Sequence, residues 1–119
     1  MSLGRNAPAN LTGSKTLARI GILVVSDRAS RGIYEDRSGK AISDFLEKVI
    51  QSNWIVILKI IPDGAECVAS ALIELSDREG CDLILTTGGT GPAPRDLTPE
   101  GTRMVIGREL MGFGELMRR

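Results

Sequence analysis

From Arg19 onward the chain alternates short, nearly continuous apolar runs with stretches of helical periodicity, and this alternation limits its fold more than any other feature. Arg19-Ile20-Gly21-Ile22-Leu23-Val24-Val25 is rich in β-branched residues with no polar alternate, the pattern of a strand covered on both faces. Ile42, Phe45, Leu46, Val49 and Ile50 follow at the i, i+3, i+4, i+7, i+8 spacing that lays one apolar stripe along a helix. A second apolar run, Trp54 to Ile61, leads into a helical pattern carried by Val68, Ala71, Leu72 and Leu75. Gly80, a residue that tolerates a left-handed backbone, closes that pattern. A third run, Asp82 to Thr87, enters a Gly/Pro-rich loop, after which Thr98-Pro99 reads as an N-cap hydroxyl with proline at the first helical position. Such alternation predicts an α/β fold with right-handed crossovers: a mainly parallel sheet between two helical layers, a three-layer sandwich.

In open parallel sheets, ligands sit at the carboxyl ends of the strands. The three strand ends here are residues 26–32, 62–64 and 88–96, all polar or glycine-rich and all expected on one edge. The chain's 119 residues suit one domain. Fifteen basic and fifteen acidic side chains cancel, which argues against a task of gripping nucleic acid or an anionic membrane. Aromatics at 3% leave no platform for stacking bases, and no apolar run is long enough to cross a bilayer. Residues 1–18 are expected to be a flexible tail and residues 19–119 the folded domain. Met1 to Thr16 shows no secretory h-region; an organelle-targeting segment is the alternative, since Arg5 and Lys15 occur there without acidic residues.

The chain contains no histidine, which excludes Ser-His-Asp and Cys-His chemistry and every His-ligated metal site. Cys67 and Cys81 are too few for a four-cysteine zinc site and read as buried, reduced thiols. Any catalysis therefore falls to carboxylates, hydroxyls, backbone amides, Lys/Arg and a hard metal ion. Gly88-Gly89-Thr90-Gly91 leaves backbone N–H groups uncovered, as anion binding requires, although a tight turn explains the same glycines. It is neither a Walker A loop nor a dinucleotide fingerprint. Asp63, three residues before Glu66, reads either as a helix cap or as a carboxylate free to hold Mg²⁺. Asp96 reads either as stabilising the following helix N-terminus or as a second carboxylate on the same edge. Asp36 before Ser38-Gly39 reads as a cap, Ser26 and Asp27 as turn residues, and Arg95 as a phosphate partner or a solvated cation.

Taken in order, Val25-Ser26-Asp27-Arg28-Ala29-Ser30, Asp36-Arg37-Ser38-Gly39, Ile61-Pro62-Asp63, residues 82–91 and residues 94–100 resemble the molybdopterin-binding family. The pattern is most similar to the MogA-type molybdopterin adenylyltransferases, and to the G domains of plant Cnx proteins and gephyrin. Gly112-Phe113-Gly114-Glu115-Leu116-Met117-Arg118 extends it, with Met111 where the family usually has proline. The resemblance implies a MogA-like fold and Mg²⁺-dependent transfer of AMP from ATP to molybdopterin, giving adenylyl-molybdopterin and pyrophosphate. It also implies a cytoplasmic homotrimer that hands its product to a molybdenum insertase. By motif, Asp63 and Asp96 take the catalytic positions, with Asp63 at the metal; Ser26, Asp36, Gly88, Gly89, Thr90 and Gly91 take substrate-binding positions. The family pattern continues past Arg119 with a Ser-rich region, a Leu-Ser-Arg segment and a Leu-Pro-Gly-x-Pro loop. Residues 19–119 are accordingly expected to be the N-terminal two thirds of the domain. A non-catalytic molybdopterin-binding module is the alternative, and a three-strand sheet is expected to leave apolar helix surface uncovered.

Overall fold

A computed structural model describes residues 2–3, 17–33 and 35–119. The β-branched run becomes the central strand β2, Ala18–Val25, whose last six residues are all buried. Two parallel neighbours flank it: β3, Trp54–Ile61, on one side and β4, Leu83–Thr87, on the other. Val25 pairs with Ile61 and Val24 with Thr87, so the three strands finish at nearly the same level. A two-residue strand, β1 (Ser2–Leu3), runs antiparallel along the outer edge of β3. Most of the expected tail, residues 4–16, lies outside the described residues; within it Ser2–Leu3 is ladder-paired and Ala18 already belongs to β2.

Alternate residues of β2 serve opposite helical layers, as the pleat requires. Leu23 and Val25 join Ile61, Val68, Ala71, Leu72 and Leu75 beneath α3 (Ala65–Ile73) and the π-helical turn Glu74–Arg78 that prolongs it. Ile20, Ile22 and Val24 join Leu46, Trp54 and Val56 beneath α2 (Ser38–Val49). The three-layer α/β sandwich is therefore present. Gly80 ends the α3 segment at φ +66°, in the left-handed conformation its position suggested. Three further helices are short: α1 (Asp27–Ser30), α4 (Thr98–Arg103) and α5 (Met111–Met117).

Four local expectations need correction. In the α2 stripe, Leu46 is buried but Phe45 is 62% exposed and Val49 half exposed, because the helix turns only part of its apolar stripe onto the sheet. Cys67 is exposed on α3, and only Cys81 packs against the core; both thiols are free. Asp63 does not cap α3: Gly64 holds the cap position at φ 129° without a side-chain cap bond. Thr98 lies inside α4 rather than capping it, and its hydroxyl points elsewhere.

Candidate functional site

Each strand end delivers one part of a polar edge. After β2 the chain turns at once into α1, with the Ser26 hydroxyl accepting from the Ala29 amide at 3.2 Å as N-cap. Ser26 also donates its own N–H to Ile61 O at 2.8 Å, binding this turn to the end of β3. Ser26, Asp27, Arg28 and Asp63 line an open cleft of about 390 Å³. Asp27 and Asp63 exchange bonds across it: the Asp63 amide donates to Asp27 Oδ1 at 3.1 Å, and the Asp27 amide approaches Asp63 Oδ2 at 3.4 Å.

The glycine loop after β4 owes its shape to what lies beneath it. Gly88 and Gly89 take φ values of +89° and +66°. A Cβ on Gly88 would run into the Val25 carbonyl, and one on Gly89 into the Thr98 hydroxyl. Glycine is thus required twice over, by torsion and by space. Thr98, 3% exposed, donates its hydroxyl to Gly88 O at 2.8 Å and its amide to Gly89 O at 3.0 Å, mounting the loop on α4. Among the described residues, the amides of Gly89, Thr90 and Gly91 find no protein acceptor, the arrangement that suits an anion. Asp96 Oδ2 accepts from the Ala93 amide at 3.1 Å and lies beside Gly91, where a Cβ would come within 2.8 Å of it.

Arg95 joins the three loops. Its Nη2 donates to Asp27 Oδ1 at 3.1 Å and to the Asp63 carbonyl at 2.8 Å. Burial pushes the Asp63 carboxyl above the usual aspartate range; the Asp27 N–H opposes this, the charges of Asp27 and Asp96 add to it, and Arg95 relieves part of it. Asp63, Asp96, Ser26 and the glycine loop thus share one sheet edge. Asp36 is elsewhere, in a groove between α2 and β3 with Gly39, Ser43 and Leu58. There its Oδ1 accepts from the Gly39 amide at 2.9 Å and serves the start of α2.

Residues 21–119 match the family model described as a probable molybdopterin binding domain. The chain belongs to the molybdopterin-binding domain family. This molybdopterin-binding domain is 50% identical over 99 residues to the molybdopterin adenylyltransferase of Helicobacter pylori (strain ATCC 700392 / 26695), an alignment covering 83% of this chain and 56% of that one. It is 45% identical over 101 residues to that of Escherichia coli (strain K12), covering 85% and 52%. Among solved structures it resembles the molybdopterin biosynthesis enzyme MoaB of Thermus thermophilus, with a TM-score of 0.76 and 45% identity over 85% of this chain and 62% of the other. The domain spans about half the length of the curated relatives it matches.

Sequence reasoning left Asp27 outside the site and read Arg95 as a phosphate partner or a solvated cation, not as a link between loops. Asp27 passed for a turn residue because its bonds reach Asp63 and Arg95, 36 and 68 positions away. The available signal was positional: Asp27 follows the central strand, so both neighbouring loops reach it.

Proposed function

We propose that the polar edge of this domain is an adenylyl-transfer site of molybdenum cofactor synthesis, moving AMP from ATP to the phosphate of molybdopterin. A terminal oxygen of the molybdopterin phosphate bonds to the α-phosphorus of ATP, the bond from that phosphorus to the bridging oxygen breaks, and pyrophosphate leaves. The attacking phosphate is largely ionised near neutral pH and needs no histidine to deprotonate it, in keeping with a chain that has none. Such transfers depend on positioning and on neutralising charge.

One observation carries the reading: Arg95 ties Asp27 and Asp63 together beside the open amides of the glycine loop. Uncovered amides attract an anion, while Asp27, Asp63 and Asp96 would repel a bare one. A ligand that suits both carries phosphates and a cation together. Among the described residues no three acidic, histidine or cysteine side chains form a ready metal cage. Mg²⁺ fits nonetheless, because it is usually held by one or two carboxylates with substrate phosphates completing its shell. The Asp63 carboxyl, with its proton affinity raised by burial and by its acidic neighbours, gains from a cation close by. Asp63 would hold the metal, with Asp96 as the second catalytic carboxylate. When bound, the ion supplies charge neutralisation on the phosphates. Ser26 and Gly88 to Gly91 orient the substrates, Arg28 adds a cation in the cleft, and Asp36 keeps its place at the start of α2.

A homotrimer, transfer of the product to a molybdenum insertase and a cytoplasmic setting belong to the same proposal. The exposed apolar side chains of α2 and α5 offer surface for self-association, and no helix among the described residues is long and apolar enough to cross a membrane. The test is formation of adenylyl-molybdopterin from molybdopterin and Mg·ATP, with Asp63→Ala and Asp96→Ala as controls. Product from the parent chain and none from either folded variant supports transfer. Molybdopterin binding without ATP consumption selects a binding module instead. Sedimentation of the parent chain checks the trimer, and a monomer at working concentration argues against it.

A further inference from the structure

Asp27 occupies a place in the fold that no other acidic residue shares. It follows the central strand, so the ends of β3 and β4 lie on either side of it. A single oxygen, Oδ1, accepts from both: the Asp63 amide from the β3 side at 3.1 Å and the Arg95 guanidinium from the β4 side at 3.1 Å. The same Arg95 nitrogen reaches on to the Asp63 carbonyl at 2.8 Å. The backbone of residue 63 is therefore gripped at its N–H and at its C=O, and the ring closes through one ion pair. Two gripped backbone groups fix where the Asp63 Cα–Cβ bond starts and which way it points.

We propose that Asp27 and Arg95 are a positioning pair, which holds the backbone of residue 63 from both sides and so aims the Asp63 carboxylate into the strand-end cleft. This rests on the reading of Asp63 as a working carboxylate of adenylyl transfer. The alternative is an ordinary surface ion pair. The Arg95 side chain is 62% exposed, and pairs that wet contribute at most about 1 kcal/mol to stability. A bond so weak for folding, placed where three loops meet, acts through geometry and local charge. Asp27 and Arg95 also face the Asp63 carboxyl with opposite effects: the one raises its proton affinity and the other lowers it. Asp96 raises it as well, and Arg28 is the remaining charged group that lines the cleft.

The experiment uses the full chain with Asp27→Asn, Arg95→Gln, Arg95→Lys and the double variant Asp27→Asn/Arg95→Gln, each checked for an unchanged melting temperature. Two readouts are taken: the position of the Asp63 carboxylate in crystals of each variant, and kcat and KM for adenylyl-molybdopterin formation. Arg95→Gln and Asp27→Asn are each expected to release the backbone of residue 63 and displace its carboxylate from the cleft. Both single variants are expected to lower kcat by about 10- to 100-fold, the scale of losing reactant alignment, with KM little changed. The double variant is expected to be no slower than the slower single one, because both changes break the same ring. Arg95→Lys keeps the charge without the guanidinium's double reach and is expected to recover only part of kcat.

An Asp63 carboxylate that stays in place in both variants overturns the pair. So do losses that multiply in the double variant, or an effect confined to KM, which would make Arg95 a direct substrate contact. The two proposals fail separately. A carboxylate displaced in both variants of a parent that makes no product supports the pair and sinks the transfer reading. Product formed by a parent whose Asp63 carboxylate keeps its place in Arg95→Gln does the reverse.

Discussion

The two faces of the sheet are built from similar apolar patterns and end in different states. Beneath α3 the contact is sealed: Val68 is 0% and Leu75 1% exposed, with Ala71 and Leu72 close behind. Beneath α2 only Leu46 of the helix's large apolar residues is buried, while Phe45, Val49 and, on β3, Leu58 remain open to solvent. The α3 face differs because a second helix covers it. Gly101 of α4 lies against the Ala65 carbonyl and Val68 so closely that a Cβ would meet Val68 Cβ at 2.8 Å. An apolar stripe in a sequence thus announces a helix and a preferred side, and whether that side is sealed depends on what the rest of the chain lays over it.

The largest expected effect contrasts the faces directly. Leu75→Ala should cost about 2–5 kcal/mol, since it opens a void the packed layers cannot close. Phe45→Ala should stay within about 0.5 kcal/mol in the monomeric chain, as for other surface changes. Urea unfolding of both variants checks the pair, and equal losses would erase the distinction between the faces. Next comes Gly101→Ala, expected to cost about 1–3 kcal/mol by forcing α4 off α3, although alanine is the better helix former. A melting temperature unchanged from the parent would show that the α3–α4 contact yields more easily than its geometry implies.

A smaller effect belongs to the strand-end edge where neither face governs. Asp63 keeps its proton to higher pH in the folded chain than in the unfolded one. Between the ordinary aspartate value, about 3.9, and the raised folded value, the native state therefore binds more protons. Asp63 consequently contributes stability as pH falls through that raised value, and the contribution is complete below the unfolded one. Asp63→Asn should flatten this part of the stability curve and leave the protein at least as stable at neutral pH. Thermal melts between pH 3 and 7 read the difference. The smallest effect concerns the thiols. Cys67, exposed on α3, should alkylate well before Cys81, whose thiol burial pushes up in pKa. Mass spectrometry after brief iodoacetamide treatment gives the order.

Strand β2 was legible because burial on both faces leaves no polar alternate, and the apolar run Trp54 to Ile61 coincides with β3. The helices were legible in their cores and less so at their ends. Thr98-Pro99 has the residues of an N-cap, yet the hydroxyl is drawn to Gly88 O by tertiary placement, which a local pattern does not contain. Helix α5 was not read as a helix: its two glycines weaken the propensity signal. The same division holds for the site. Gly88 and Gly89 stand out in the sequence because only glycine meets their torsions, and Asp63 and Asp96 because the parallel-sheet rule assigns them one edge. The Asp27–Arg95 pair was invisible because its meaning lies in strand order, β3 beside β2 beside β4, and not in spacing along the chain.

Thr98 and Gly101 stand three residues apart on one short helix, one carrying the glycine loop and the other wedged against α3. The loop's mooring and the seal of the hydrophobic interior are consequently one mechanical unit. Heat or denaturant that slackens the interior therefore slackens the glycine loop with it.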